Sequence, residues 1–146
     1  MFPQSKVVVF LLTTSVTNAG TATSQNLDCM GADFVSIDLV QTTSNNTTNN
    51  PSVLKLQQSD TTDASNFSDL SGFVGDTDFT IPTVGTNTAT ISSYKFNVDM
   101  RHRKRYLRLL VSPVTSQDFT ALANLHLNER SPVSAADVNA SVVVSG

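Results

Sequence analysis

Residues able to do acid-base or nucleophilic chemistry are few in this chain. Its only histidines are His102 and His126, the one side-chain type whose ordinary pKa lies near neutrality. Either can be combined on paper with a serine and an aspartate into a triad. No serine, however, sits in the G-x-S-x-G frame that presents a nucleophile on a sharp strand-to-helix turn, so both read as a turn histidine and a strand histidine. Cys29 is the sole cysteine and has no cysteine or histidine at ligand spacing; it reads as a small buried hydrophobe. Asp60, Asp63, Asp69, Asp76 and Asp78 lack the alternating register of a calcium loop and read as turn residues. No glycine loop followed by Lys-Ser or Lys-Thr could cradle a phosphate. Asn45, Asn46, Asn66 and Asn139 open N-x-S/T triplets, which chance supplies readily in so Asn-, Ser- and Thr-rich a chain. The expectation is a protein without catalytic residues, metal or cofactor.

One cluster rises above this background. Arg101, Arg103, Lys104, Arg105 and Arg108 place five of the nine basic residues within eight positions of a chain whose net charge is −3. Three readings stay open. The run can be a charged hairpin tip that keeps a sheet edge from pairing with strangers. It can be a docking patch whose guanidinium groups grip carboxylates on another protein. It can also touch nucleic acid, although an acidic whole (pI near 5.1) disfavours binding through backbone phosphates.

The elements that must position these residues are strands. With 146 residues the chain suits one core and one domain. Thr and Ser make up 37 residues and charged residues only 14%, while Glu occurs once and Lys four times, so exposed-face helix formers are scarce and pleated, half-buried surfaces are favoured. Val35, Ile37 and Leu39 alternate with Phe34, Ser36, Asp38 and Val40, and residues 53–58 alternate similarly. Residues 42–51 read as a loop, 59–69 as a turn-rich connection, and 134–137 as one short helical turn. Tyr94, Phe96, Val98 and Met100 share one parity, whereas Leu107, Leu109 and Val111 share the other; period-two alternation then demands a turn or bulge between them. A tight hairpin over 101–104 is expected, with strands over 94–100 and 105–112. In it Arg105, which has the parity of the buried residues, must sit near the sheet margin or pair with a carboxylate such as Asp99 across the hairpin. Further strands are expected over 119–127 and 140–144. The sum is an all-β antiparallel sandwich or jelly roll of about eight strands.

The beginning of the chain resembles a secretory leader superficially, with Lys6 before the apolar run Val7 to Leu12. Six apolar residues are too few to span a bilayer as a helix, which takes roughly 20. Residues 1–20 read instead as a retained, extended N-terminal arm that adds to a sheet or lies across a neighbour, with Val7, Val9 and Leu11 as its contact residues. One cysteine makes no internal disulfide, so folding in a reducing cytoplasm is permitted.

Three stretches carry a resemblance: Phe34-Val35-Ser36-Ile37-Asp38, the run from Asn50 to Asp60, and above all Phe96-Asn97-Val98-Asp99-Met100-Arg101-His102-Arg103-Lys104-Arg105-Tyr106-Leu107. They resemble small head-associated proteins of tailed bacteriophages and prophages, the capsid decoration or cement proteins, over roughly residues 7 to 144. The resemblance implies a structural virion protein on the capsid exterior, assembled in the bacterial cytoplasm. Its partners would be the major capsid protein and further copies of itself, as a dimer or trimer, with no membrane and no direct nucleic acid. Relatives are expected to carry glycine where this chain has His102, which implies a turn position of positive φ. A carbohydrate-binding or adhesin-like β-sandwich on a virion is the alternative; against it, the chain has no Trp and only Tyr94 and Tyr106 as tyrosines.

Overall fold

A computed structural model describes residues 4–17, 20–41, 51–81, 92–114 and 116–127. The expected loop over 42–51, save Pro51, which opens a strand, the short helical turn over 134–137 and the strand over 140–144 lie outside these residues. The described chain forms β1 (Gln4–Val16), β2 (Ala22–Thr23), β3 (Leu27–Asp28), β4 (Ala32–Gln41), β5 (Pro51–Ser59), a short 3-10 turn (Ala64–Asn66), β6 (Ser68–Val74), β7 (Ser92–Asp99), β8 (Tyr106–Pro113) and β9 (Gln117–Leu127).

These strands make two antiparallel sheets. The first has the order β1-β9-β4-β7; the second runs β2-β8-β5-β6, with β3 also on β8. Because β2 and β3 both pair with β8, they act as two halves of one broken strand. Counted so, the described residues make eight strands, of which the first pairs with the eighth, the second with the seventh, the third with the sixth and the fourth with the fifth. That nesting is a long antiparallel ribbon rolled on itself, the jelly-roll winding.

Alternation explains the core. Val35, Ile37 and Leu39 from β4, Tyr94, Phe96 and Val98 from β7, and Phe119, Ala121, Ala123 and Leu125 from β9 form one buried layer. Leu54 and Leu56 of β5, Leu70 of β6, and Leu107, Leu109 and Val111 of β8 form the other. Within the first layer the small residues Ala121 and Ala123 lie beside the larger Leu39 and Ile37 of β4.

Two expectations need correction. The turn over 101–104 exists, with the Arg103 amide donating to the Met100 carbonyl at 3.1 Å, but β7 and β8 do not pair with each other. β7 lies beside β4 and β8 beside β5, so the turn is a corner that carries the chain from one sheet to the other. The change of buried parity that suggested a hairpin is equally what a corner produces, since each sheet turns its inner face to the shared core. The stretch read as turn-rich up to Asp69 also gives way to a strand at Ser68, because β6 pairs with β5 through Gln58↔Ser68 and Gln57↔Asp69.

Candidate functional site

The corner disperses the basic run. Arg101 turns back on the end of β7: its Nε and Nη2 donate to Asp99 at 3.0 and 2.6 Å, and its backbone amide donates to the same carboxylate at 3.0 Å. These bonds hold the Asp99 carboxyl down at about 2. His102 sits at the apex with φ of 69°, in the left-handed region that favours glycine.

Arg105 does pair with a carboxylate, but the partner is Asp28 and not Asp99. It reaches Asp28 of β3 with two parallel bonds, Nε at 2.9 Å and Nη2 at 2.7 Å, and Asp28 is held below the ordinary carboxylate range chiefly by that guanidinium. The reason is the corner itself: β8 leaves for the second sheet, where β3 is its neighbour. Lys104 lies 4.0 Å from Asp60 and its amide donates to Gln58 Oε1 at 3.2 Å. Arg108 lies on the outer face of the second sheet. Its Nε donates to Gln57 Oε1 at 2.8 Å, and its guanidinium stacks 4.2 Å over the Phe67 ring. Gln57 in turn donates to Asp69, which Lys55 also grips at 2.9 Å, and both contacts hold the Asp69 carboxyl low. Arg103 is the one member of the run whose side chain has no partner among the described residues.

The expected N-terminal arm is the outer strand of the first sheet, paired to β9 from Gln4↔Leu127 to Val16↔Gln117. Leu11 turns into the core, while Val7 and Val9 face outward and remain 45% and 43% exposed. Val9 is directly opposite Leu122 of β9, itself 41% exposed. Further along the same face, the Phe34 ring stands 5.5 Å from that of His126. The first sheet therefore carries a partly apolar outer face built by β1, β9 and β4. The sequence singled out Val7, Val9 and Leu11; Leu11 is buried, while the first two share this outer face with Leu122 and Phe34, which it did not single out. The signal was present: each is a large apolar residue at the outward parity of its strand, Leu122 between Ala121 and Ala123 and Phe34 in line with Ser36 and Asp38.

The other chemistry-bearing residues have structural partners. The Cys29 thiol donates to the Leu27 carbonyl at 3.6 Å, and burial, followed by the charge on Asp28, pushes it up to about 12. Asp78 accepts the amides of Gly72 and Val74 at 2.7 and 3.0 Å, and Asp76 that of Ile81 at 3.3 Å.

Strand order and surface together define the class, a jelly-roll β-sandwich with one partly apolar outer sheet face. No protein-family model and no curated protein matches the chain. Among solved structures, it is similar to the SPBc2 prophage-derived protein YomS, at 12% identity and a TM-score of 0.49 over 86% of this chain and 95% of that one. It is also similar to the Gx strain of infectious bursal disease virus, at 14% identity and a TM-score of 0.45, and covers 33% of that chain. A third likeness is to BtGH115A, a 4-O-methyl-α-glucuronidase with specificity for decorated arabinogalactans, at 8% identity and a TM-score of 0.44, of which 16% is covered. Identities this low concern backbone arrangement alone.

Proposed function

We propose that the protein is a structural virion component, a head decoration protein that binds the outer surface of the major capsid protein shell of a tailed phage and acts by binding, not by catalysis. The observation that carries the reading is the outer face of the first sheet. Val7, Val9 and Leu122 stand side by side on it, each more than 40% exposed. Large apolar residues grouped on a rigid sheet face are what a protein-docking surface supplies. The kind of partner comes from the resemblance of the run Phe96 to Leu107 to phage head proteins. Arg103, with no partner within the described chain, is available for a carboxylate on the shell or on a neighbouring copy.

The test is co-expression with the major capsid protein of the same genome, followed by sedimentation of the shells. Wild-type protein is expected to sediment with them. Val9→Asp and Leu122→Asp should lower occupancy by about tenfold or more, because each places a charge in an apolar contact, with the melting temperature of the free protein little changed. Arg103→Ala should weaken attachment chiefly at low salt, where screening is least. Wild-type protein that stays in the supernatant, or aspartate variants that bind shells as well as wild type, would overturn the reading.

A further inference from the structure

Among the described residues the sandwich has four sheet edges, and three of them carry devices that prevent pairing with another chain. β1 is bulged twice, between Val9 and Leu11 and between Leu11 and Thr14, and its Phe10 carbonyl already accepts the Gln25 amide at 3.1 Å. The edge of the second sheet beside β8 consists of β2 and β3, two residues each. β6 is broken by a large register shift opposite Lys55 and Gln57, with Gly72 at φ of 91° and the amides of Gly72 and Val74 capped by Asp78. Short strands, bulges and caps are the ways by which proteins blunt their edges.

β7 has none of these. It pairs with β4 without a shift from Phe34↔Asp99 to Gln41↔Ser92, and it contains neither glycine nor proline. Among the described residues no strand lies on its far side, where a groove of about 410 Å³ runs along Ser93, Tyr94, Lys95, Phe96 and Asn97, with Gly72, Phe73 and Phe79 as the opposite wall. Residues of both parities line it, so it follows the backbone edge of the strand and not one face.

We infer that the occupant of this edge is β7 of a second copy, paired antiparallel about a two-fold axis at Asn97. The charges on the strand select both partner and register. Outward-facing positions must meet outward-facing positions if the joined sheet is to keep a single outer face. Centred on Lys95, the pairing sets lysine against lysine. Centred on Phe96, it sets Lys95 against Asn97 and Ser93 against Asp99, and no opposite charges meet. Centred on Asn97, it sets Lys95 against Asp99 of the other copy twice, Asn97 against Asn97, and Phe96 against Val98. Lys95, 3.2 Å from Asp38 in the free chain, then lies between two carboxylates. A lysine that would repel a misaligned strand thus fixes the aligned one. The joined sheet has eight strands, and the two copies turn their Val7, Val9 and Leu122 surfaces to the same side. This inference names the self-association partner within the decoration reading, and rests on that reading only for what the shared outer face would bind.

Reversal of the charges tests it in solution, with no shells present, so that failure here is distinct from failure of shell attachment. Wild-type protein is analysed by equilibrium sedimentation beside Lys95→Asp, Asp99→Lys and the double reversal, with melting temperatures alongside. A concentration-dependent wild-type dimer is expected, with each single reversal weakening it by about tenfold or more and the double reversal restoring most of it. Within one chain the two reversals are both unfavourable, since they place Asp beside Asp38 and Lys beside Arg101. A loss of fold would therefore be worst in the double variant, the opposite of rescue. Wild-type protein monomeric up to about 1 mM, single reversals that dimerise as wild type does, or a double variant no better than the singles would each overturn the inference. So would hydrogen exchange in which every β7 amide is already protected in dilute monomer, because the edge would then be filled by the chain itself.

Discussion

At the scale of single residues, the corner after β7 explains why a run of cations is tolerated in a small acidic protein. Arg101 and Arg105 each lie against a carboxylate, Asp99 and Asp28, through paired bonds of 2.6–3.0 Å, and Lys104 lies 4.0 Å from Asp60. Those pairs are solvent-exposed, so their worth is geometric more than energetic: they fix where the corner points. The strained member is His102, whose φ of 69° a β-carbon tolerates poorly. His102→Val is expected to destabilise the protein by about 1–2 kcal/mol. His102→Gly should be neutral or slightly stabilising, since relief of strain is partly offset by the freedom that glycine gains in the unfolded chain. Urea titrations of the two variants check this; equal losses for both would mean that the imidazole, not the backbone, matters there. The need for positive φ at this position was implied only by the resemblance, through the glycine expected in relatives, and not by the residues of this chain. The partner of Arg105 was not legible either, because Asp28 is 77 residues away along the chain and no local pattern joins them.

At the scale of elements, strand positions were largely legible and pairings only in part. β4, β7, β8 and β9 follow alternating apolar residues that the chain displays openly. β2 and β3 are too short to have a period, and β6 hides its alternation behind Ser68, Asp69, Ser71 and Gly72. What makes β6 a strand is its neighbour. Gly75, just past its end, donates to the Leu54 carbonyl at 2.9 Å, and an added β-carbon there would lie 2.7 Å from that same oxygen and 2.7 Å from the Ile81 Cδ1 atom. The backbone of the turn is pressed onto β5, and only glycine fits. Gly75→Ala is therefore expected to cost about 1–3 kcal/mol, the range of overpacking in a filled core, and to raise hydrogen exchange in β6 before the rest of the molecule. Unchanged stability would show that Ile81 moves aside and that the contact with Leu54 is not tight.

At the scale of the whole molecule, a rolled ribbon brings residues far apart in sequence into every sheet, so its stability is collective and its response to pH is shared. Asp28, Asp69 and Asp99 all titrate below the ordinary carboxylate range in the fold, Asp99 at about 2. A carboxylate with a lowered folded pKa stabilises the fold above its unfolded value, about 3.9, and ceases to do so as pH falls through the folded value. The melting temperature is thus expected to hold near neutrality and to drop on acidification below about pH 4, with a shallower drop in an Asp28→Asn, Asp69→Asn double variant. Thermal melts followed by circular dichroism between pH 2 and pH 7 check it; a melting temperature that rises below pH 4 would contradict it. The sequence by itself determined the all-β class, the buried parity of β4, β7 and β8 and the place of the turn after β7, because each is a local consequence of side chains that alternate with period two. Only the tertiary structure decided that this turn is a corner between sheets, that Arg105 belongs to Asp28, that Leu122 and Phe34 join Val7 and Val9 on one face, and that β7 is the unbroken edge. Alternation states which face of a strand is buried, but is indifferent to which strand lies beside it, and that choice is made by how the whole ribbon packs around one core.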